Sequence, residues 1–251
     1  MTMAVGFLCR DGVVIGADRQ VTGANYTFPE CKLISFSWAN GHGILAYSGG
    51  RDTFMNFASE LGSRVPDSLT MQKSDVKKLL KDCLTASLQK KETFLTIFGF
   101  WIEGKSPSLI MSNTERRIVD VADCEVIGYG DSPLTRSLLG RFRDVPHSIT
   151  VHQARIYAVN FISQAKKYDG QYVGDGIDVY SVDHSGDTGE RCVRVLDAGQ
   201  TGTWETQIQL MNYWMDVLFS HTTNKDDPVS MQQFMERVKQ FREWAGGGSE
   251  H

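Results

Sequence analysis

The chain has 251 residues, of which 41% are hydrophobic and 22% are charged, as is ordinary for a globular protein. A net charge of −4 does not indicate a nucleic-acid-binding surface, and no apolar run approaches the roughly 18 residues of a membrane-spanning helix. The cysteines are scattered and odd in number, which favours reduced thiols, and the histidines show no metal-ligand spacing. We expect a cytoplasmic protein that binds no metal, cofactor, nucleic acid or membrane.

The N-terminal part of the chain has the pattern of four strands. A favourable hairpin turn at residues 10–12 joins the first two, and a polar turn around Gly23 and Asn25 follows them. A second turn at residues 39–41 joins the other two. The strands are predicted at residues 2–9, 12–18, 31–36 and 42–47.

After residue 50 the apolar residues first recur at helical spacing, and strands and helices then alternate in groups. Prolines at the first-turn position mark two helix starts, near residue 131 and at Pro228. The predicted elements are helices from residues 51 and 74, strands at 94–101, 108–111, 117–121 and 124–127, helices from 131 and at 151–168, strands at 176–182 and 192–196, and helices over about 200–245.

Sequential hairpins alternating with helices are typical of antiparallel sheets covered by helix layers. We predict an α+β fold, a four-layer αββα sandwich in which two antiparallel sheets pack face to face with helices outside. Because there is no internal repeat and no linker within the body, residues 1–251 are predicted to form a single domain with extended C-terminal helices. The apolar faces of those helices either cover the core or contact a neighbouring subunit.

Several strand ends carry residues that are able to do chemistry. Thr2 begins the first strand, Asp18 ends the second and Lys32 begins the third, while Ser48-Gly49 lies between the fourth strand and a helix. Each has a simpler explanation when taken alone: an inert second residue, a turn residue, a solvated lysine and a helix cap.

In this order and spacing, these positions resemble the proteasome β-subunit family, including its simpler bacterial relatives, over roughly residues 2–196. The resemblance implies an N-terminal-nucleophile hydrolase. Thr2 is then expected to be the nucleophile once an aminopeptidase removes Met1, with no propeptide to process. The family encloses its active sites in a chamber, which implies a homo-oligomeric ring, polypeptide substrates and a possible ATPase unfoldase as partner.

The chemistry explains why the family uses these residue types. A threonine hydroxyl is a weak nucleophile that needs a base, and a free α-amine with a pKa of about 8 supplies one. Lys32 is expected beside the hydroxyl, where its charge favours deprotonation, and Asp18 is expected to fix Lys32. Backbone N–H groups of Ser48 and Gly49 are expected to form the oxyanion hole. Thr2 then forms an acyl-enzyme that water cleaves.

Other positions of the family pattern are kept or changed in this chain. Asp169 matches an aspartate that helps to hold the hydroxyl groups of the site. Two supporting serines are replaced, one by Tyr129, which is either a longer hydroxyl arm or a packed aromatic, and one by Val173, which has no hydroxyl. Gln20 stands in place of an arginine. The resemblance implies a competent nucleophile in altered surroundings.

The resemblance also implies a specificity pocket. Its lining is expected to include Val21, Glu30, Ala46 and Gly50, and Glu30 is expected to favour a basic substrate side chain. The predicted function is therefore that of a threonine-type endopeptidase working in a proteasome-like oligomer. Two alternatives are a non-catalytic structural subunit of such an assembly, and an amidohydrolase or acyl transferase for a small molecule, since one fold hosts several such reactions.

Overall fold

The computed structural model describes residues 2–22, 26–66, 68–87, 94–113, 115, 117–128, 149–170, 173–184, 191–222, 236, 239 and 240. These residues include four helices and twelve strands. In chain order the elements are β1 (Met3–Leu8), β2 (Val13–Asp18), β3 (Gln20–Thr22), β4 (Thr27–Pro29), β5 (Leu33–Trp38), β6 (Gly41–Ser48), α1 (Arg51–Arg64), α2 (Lys73–Ser87), β7 (Leu95–Ile102), β8 (Ser108–Ser112), β9 (Ile118–Val121), β10 (Cys124–Gly128), α3 (Val151–Asp169), β11 (Ile177–His184), β12 (Arg191–Val195) and α4 (Ala198–Thr222).

The strands form three antiparallel sheets, which confirms the predicted α+β class. The first sheet has the order β10-β1-β2-β11-β12, the second has the order β5-β6-β7-β8-β9, and β3 pairs only with β4. In the first sheet, Met3 lies opposite Gly128, and Ile177 lies opposite Asp18. The start of β1, the end of β2 and the start of β11 therefore lie side by side at one end of the strands of this sheet.

Both five-stranded sheets bury apolar side chains on both faces, because successive side chains of a strand point to opposite sides. On β2, Val14 packs in a cluster with α3 and α4, whereas Val13 packs in a cluster shared with the second sheet. On β6, Leu45 packs in a cluster with α1 and α2, whereas Ile44 belongs to the shared cluster. One hydrophobic cluster thus lies between the sheets, and one lies under each pair of helices.

A glycine permits the close approach of the two sheets. Gly99 lies on β7, and a Cβ atom there would overlap the side chain of Val13 on β2. Any larger residue at this position would push the first sheet away from the second and open the cluster between them.

Helix α3 begins where the sequence supplies a cap. The Thr150 hydroxyl accepts from the backbone N–H of Gln153, and the Gln153 side chain accepts from the Thr150 N–H, which is a capping box at the start of α3. The backbone N–H of Val151 donates to Asp11 Oδ1 at 2.9 Å, which ties α3 to the turn between β1 and β2.

The strands and helices predicted within the described residues are observed, with ends displaced by one or two residues. The β3–β4 hairpin was not predicted, and a polar turn was expected in its place. Each of these strands has only three residues, and Val21 opposite Phe28 is their one apolar cross-strand pair, so the alternation is too short to recognise. The predicted helix from residue 131 and nearly all of the one from Pro228 lie outside the described residues.

The C-terminal helix α4 covers the core with its first half. Ile208 is buried in the cluster under α3, and Trp204 packs against that cluster. Of the two roles expected for the C-terminal apolar faces, covering the core is therefore the one observed for this half. Among the helices described, none is both long and apolar enough to cross a membrane.

Candidate active site

Asp18 is the centre of the polar contacts where the start of β1, the end of β2 and the start of β11 lie side by side. Its Oδ1 atom accepts from the backbone N–H of Met3 at 2.8 Å and from Lys32 Nζ at 2.9 Å. Its Oδ2 atom accepts from the backbone N–H groups of Gln20 at 3.1 Å and Gly174 at 3.5 Å. These donors replace the water that the buried carboxylate loses on folding.

Lys32 joins the second sheet to the first. It lies just before β5, and its Nζ also donates to the carbonyl oxygen of Gln20 at 2.5 Å. The Lys32 side chain is 1% exposed and that of Asp18 is 0% exposed. Two opposite charges are therefore held together without solvent, an arrangement that is sustained only when the geometry and the additional hydrogen bonds are good.

Burial acts on both members of this pair. It lowers the pKa of Lys32, and the Asp18 charge opposes that effect. Burial also raises the pKa of Asp18, against the opposing influence of Lys32 and of the backbone N–H groups of Met3 and Gly174. A lysine with a lowered pKa releases its proton more readily and serves a nearby acid–base step better than a solvated one.

Thr2 is buried beside this pair. It is 4% exposed, and the N–H that donates to Asp18 belongs to the peptide bond between Thr2 and Met3. The structure thus brings Thr2, Asp18 and Lys32 together.

Gly128 fixes the other side of Thr2. It has a φ of +87°, and a Cβ there would overlap the carbonyl oxygen of Thr2 and lie 2.7 Å from Ser48 Oγ. Only glycine satisfies both the positive φ and this close approach. The contact also locates the Ser48 side chain next to the Thr2 backbone.

The turn after β6 leads directly into α1. Ser48 is the last residue of β6, Gly49 has a φ of 149°, and Gly50 is the N-cap residue of α1. The first N–H groups of a helix have no intrahelical acceptors, and the helix dipole favours negative charge near them. A developing oxyanion near this turn therefore meets a favourable electrostatic environment.

The expected pocket residues occupy different elements. Val21 is half-buried on β3, and Ala46 is fully buried between the sheets. Glu30 does not present an unpaired charge, because Arg51 Nε donates to its two carboxylate oxygens at 2.9 and 2.8 Å. Gly50 is exposed at the start of α1.

Of the expected supporting positions Asp169, Val173 and Tyr129, the structure describes the first two. Asp169 is the last residue of α3, and Val173 is fully buried in the hydrophobic cluster under that helix. Tyr129 lies outside the described residues. Among the described residues, no group of potential ligands could hold a metal ion.

Sequence reasoning missed some residues around the site. Gly174 was not singled out, although its N–H reaches Asp18, and a Cβ there would overlap the Gln20 side chain. Arg51 was not recognised as the partner of Glu30. Its place in the first turn of α1, directly after the glycine turn, was the one available signal.

Fold and site together define the class: an α+β protein with two five-stranded antiparallel sheets and with a buried threonine, aspartate and lysine at neighbouring strand ends. The comparisons with solved structures point to Anbu proteins. The chain is similar to an Anbu mutant from Hyphomicrobium sp. strain MC1, with 18% identity, a TM-score of 0.68, and coverage of 90% of this chain and 99% of that one.

Two further Anbu structures are similar to the same extent. The protein from Yersinia bercovieri, described as an ancestral β-subunit, has 15% identity and a TM-score of 0.68, with 88% of this chain and 97% of that one covered. The helical assembly from Pseudomonas aeruginosa has 16% identity and a TM-score of 0.67, with 91% and 99% covered. No protein-family model matches the sequence, and no curated protein matches it significantly. At these identities the likeness establishes a shared fold.

Proposed function

We propose that the protein is a threonine-type endopeptidase whose nucleophile is Thr2 once the α-amine of that residue is free. One observation carries the proposal: Asp18 Oδ1 accepts from both Lys32 Nζ and the backbone N–H that follows Thr2. A structural ion pair alone does not need a neighbouring threonine with a hydroxyl. The shared fold with Anbu structures adds support from a separate source.

In the proposed reaction, Thr2 Oγ1 attacks the carbonyl carbon of the scissile peptide bond. The α-amine accepts the hydroxyl proton and passes it to the leaving nitrogen, so that an ester on Thr2 and a free amine result. Water then attacks the ester, the α-amine accepts a proton from that water and returns it to Thr2 Oγ1 as the bond between the acyl carbon and Oγ1 breaks, and the acid is released. Lys32 keeps the surroundings positive during both attacks, and the N–H groups of the Ser48-Gly49 turn stabilise the oxyanion.

The test is a comparison of Thr2→Ala with Thr85→Ala, a control that removes an exposed threonine of α2. Hydrolysis of an unstructured polypeptide such as casein is expected to fall by a factor of roughly 10³ or more in Thr2→Ala and to stay unchanged in the control. Mass spectrometry of the purified protein is expected to find Thr2 as the first residue. Full hydrolysis by Thr2→Ala, or a chain that keeps Met1, contradicts the proposal.

A second candidate is a structural subunit without catalysis. The observation that favours it is Val173, which fills a hydrophobic cluster at a position where the related pattern supplies a hydroxyl. An electrophile specific for N-terminal threonine separates the two candidates, because only a competent nucleophile forms the adduct. Assays of small amides beside casein separate an endopeptidase from an amidohydrolase or acyl transferase.

We further propose that residues 1–251 form one domain with the four-layer αββα arrangement. The three hydrophobic clusters support this, since one joins residues of the two five-stranded sheets and each of the other two joins strand residues to helix residues. A single cooperative unfolding transition, coincident by circular dichroism and tryptophan fluorescence, is expected.

The proposed assembly is a homo-oligomeric ring in the cytoplasm, with an ATPase unfoldase as possible partner. One similar structure is a helical assembly, and the same head-to-tail contact closes into a ring or continues as a helix according to its rotation. The scattered cysteines, odd in number and never spaced as C-x-x-C, support a reducing compartment. Native mass spectrometry is expected to give one discrete mass for a closed ring. A series of masses that extends to larger oligomers as the protein concentration rises indicates an open helical assembly instead.

A further inference from the structure

An ion pair connects the two chain segments that flank the candidate active site. Glu30 lies two residues before Lys32, and its backbone N–H donates to the carbonyl oxygen of Arg19, the residue after Asp18, at 2.8 Å. Arg51 is the first residue of α1, directly after the Ser48-Gly49-Gly50 turn. The pair therefore joins the returning end of the β3–β4 hairpin to the start of α1.

The pair is accessible and its charges are matched. Arg51 Nε donates to both carboxylate oxygens of Glu30, and the two side chains are 49% and 25% exposed. The pair thus lies at the surface, two residues along the chain from Lys32 on the Glu30 side and directly after the Ser48-Gly49-Gly50 turn on the Arg51 side.

The apolar residues nearby agree with a neutral lining. Val21 is directly opposite Phe28 in the hairpin, and Phe28 stacks on Tyr26 with ring centroids 5.8 Å apart. Tyr26 is 65% exposed. These three side chains form an apolar strip on one face of the hairpin, because residues i and i+2 share a face of a strand.

We propose that the Glu30–Arg51 ion pair sets the substrate preference of the site, by cancelling its charge so that uncharged side chains are accepted beside the scissile carbonyl. This inference rests on the proposed peptidase function. It replaces the expectation from sequence that Glu30 selects basic side chains. Removal of one partner exposes the charge of the other and redirects the preference towards side chains of opposite charge.

The experiment compares three fluorogenic peptides that differ only in Leu, Lys or Glu before the scissile bond. The native protein is expected to cleave the Leu peptide best. For Arg51→Gln, the kcat/KM of the Lys peptide relative to that of the Leu peptide is expected to rise by about fivefold. For Glu30→Gln, the kcat/KM of the Glu peptide relative to that of the Leu peptide is expected to rise by about fivefold. This factor corresponds to the free energy that a partly exposed ion pair contributes. The charge swap Glu30→Arg/Arg51→Glu keeps the pair and is expected to keep the Leu preference.

Arg64→Gln is the matched control, because Arg64 is also an α1 arginine in an exposed ion pair, with Glu60 at 2.9 Å, but at the other end of the helix. Its ratios are expected to equal those of the native protein. Unchanged ratios in both Arg51→Gln and Glu30→Gln overturn the inference, and a shift of equal size in Arg64→Gln does the same.

A binding assay separates this inference from the peptidase proposal. Product peptides ending in Leu, Lys or Glu are titrated onto the Thr2→Ala protein by fluorescence anisotropy, with and without the Arg51 and Glu30 substitutions. The same shifts in preference are expected in the dissociation constants. If Thr2→Ala still hydrolyses the peptides, the peptidase proposal fails, whereas the inference fails if these dissociation constants do not change with the ion pair.

Discussion

Gly128 lies so close to the carbonyl oxygen of Thr2 that a Cβ on Gly128 would overlap that oxygen. This contact follows from the pairing of β1 with β10, in which Met3 lies opposite Gly128. The position of the proposed nucleophile is therefore set by a strand more than a hundred residues away in the chain.

Gly128→Ala is expected to displace Thr2 and to lower the free energy of unfolding by about 3 kcal/mol, since the new methyl group adds overlap to the strain of a positive φ. Gly104→Ala is the control, because Gly104 also has a positive φ, +70°, but nothing lies within 4 Å of its Cβ position. It is expected to cost about 1 kcal/mol, from backbone strain alone. Urea unfolding measures both, and equal losses contradict the proposed contact.

Asp18→Asn leaves the Lys32 charge buried without its counter-charge. We expect a loss of about 3–5 kcal/mol in the free energy of unfolding, together with loss of peptide hydrolysis. Asp120→Asn is the matched control, because Asp120 contacts Lys73 and Lys77 at 2.9 and 2.7 Å on the surface. Exposed ion pairs contribute about 1 kcal/mol or less, so this control is expected to change little. Comparable losses in the two variants show that burial does not strengthen the Asp18 effect.

The pH dependence of stability reports the state of Lys32. Its pKa is lowered in the folded protein, so that between this lowered value and the ordinary lysine value the unfolded chain binds more protons than the folded one. The contribution of Lys32 to the free energy of unfolding therefore rises with pH across that window. Asp18, whose pKa is raised, acts in a lower window with the opposite sign.

We test this by urea unfolding from pH 7 to pH 10, with the double variant Asp18→Asn/Lys32→Met as reference. The native protein is expected to gain stability relative to the reference as the pH rises. Parallel curves exclude a lowered pKa for Lys32, because Asp18 acts in a lower pH window and the remaining titrating groups are common to both proteins.

Ile208→Ala tests whether α4 belongs to the folded core. Ile208 is 1% exposed under α3, and its truncation is expected to cost about 3 kcal/mol, from the lost burial and the cavity left behind. Leu210→Ala is the control on the same helix, because Leu210 is 44% exposed and its truncation is expected to change stability by about 0.5 kcal/mol at most. A small effect in both variants indicates that α4 docks loosely.

The sequence was sufficient to predict β1, which follows Thr2, and β2, which ends at Asp18, because alternating apolar residues and a good turn fix the β1–β2 hairpin. Antiparallel pairing then brings the start of β1 beside the end of β2. The contact between Lys32 and Asp18 needed the family resemblance as well, since it crosses from one sheet to the other.

Other contacts were beyond prediction for physical reasons. The Gly128 contact depends on pairing between strands that are far apart in the chain, which no local pattern encodes. The Glu30–Arg51 pair depends on where a hairpin of three-residue strands returns, and such short strands leave almost no periodic signal. The resemblance and the charge of Glu30 together suggested a basic substrate, whereas in the folded chain Arg51 pairs with that charge.

The Asp18–Lys32 pair fastens the first sheet to the second, and this has a consequence for the evolution of such chains. A variant that lost Thr2 would still lose stability if one member of the pair were replaced alone, because breaking a buried pair is costly. Folding alone therefore disfavours single replacements of the aspartate or the lysine. The presence of both residues in a related sequence is therefore no evidence of catalysis, and under the proposed mechanism the residue at position 2 is the more informative one.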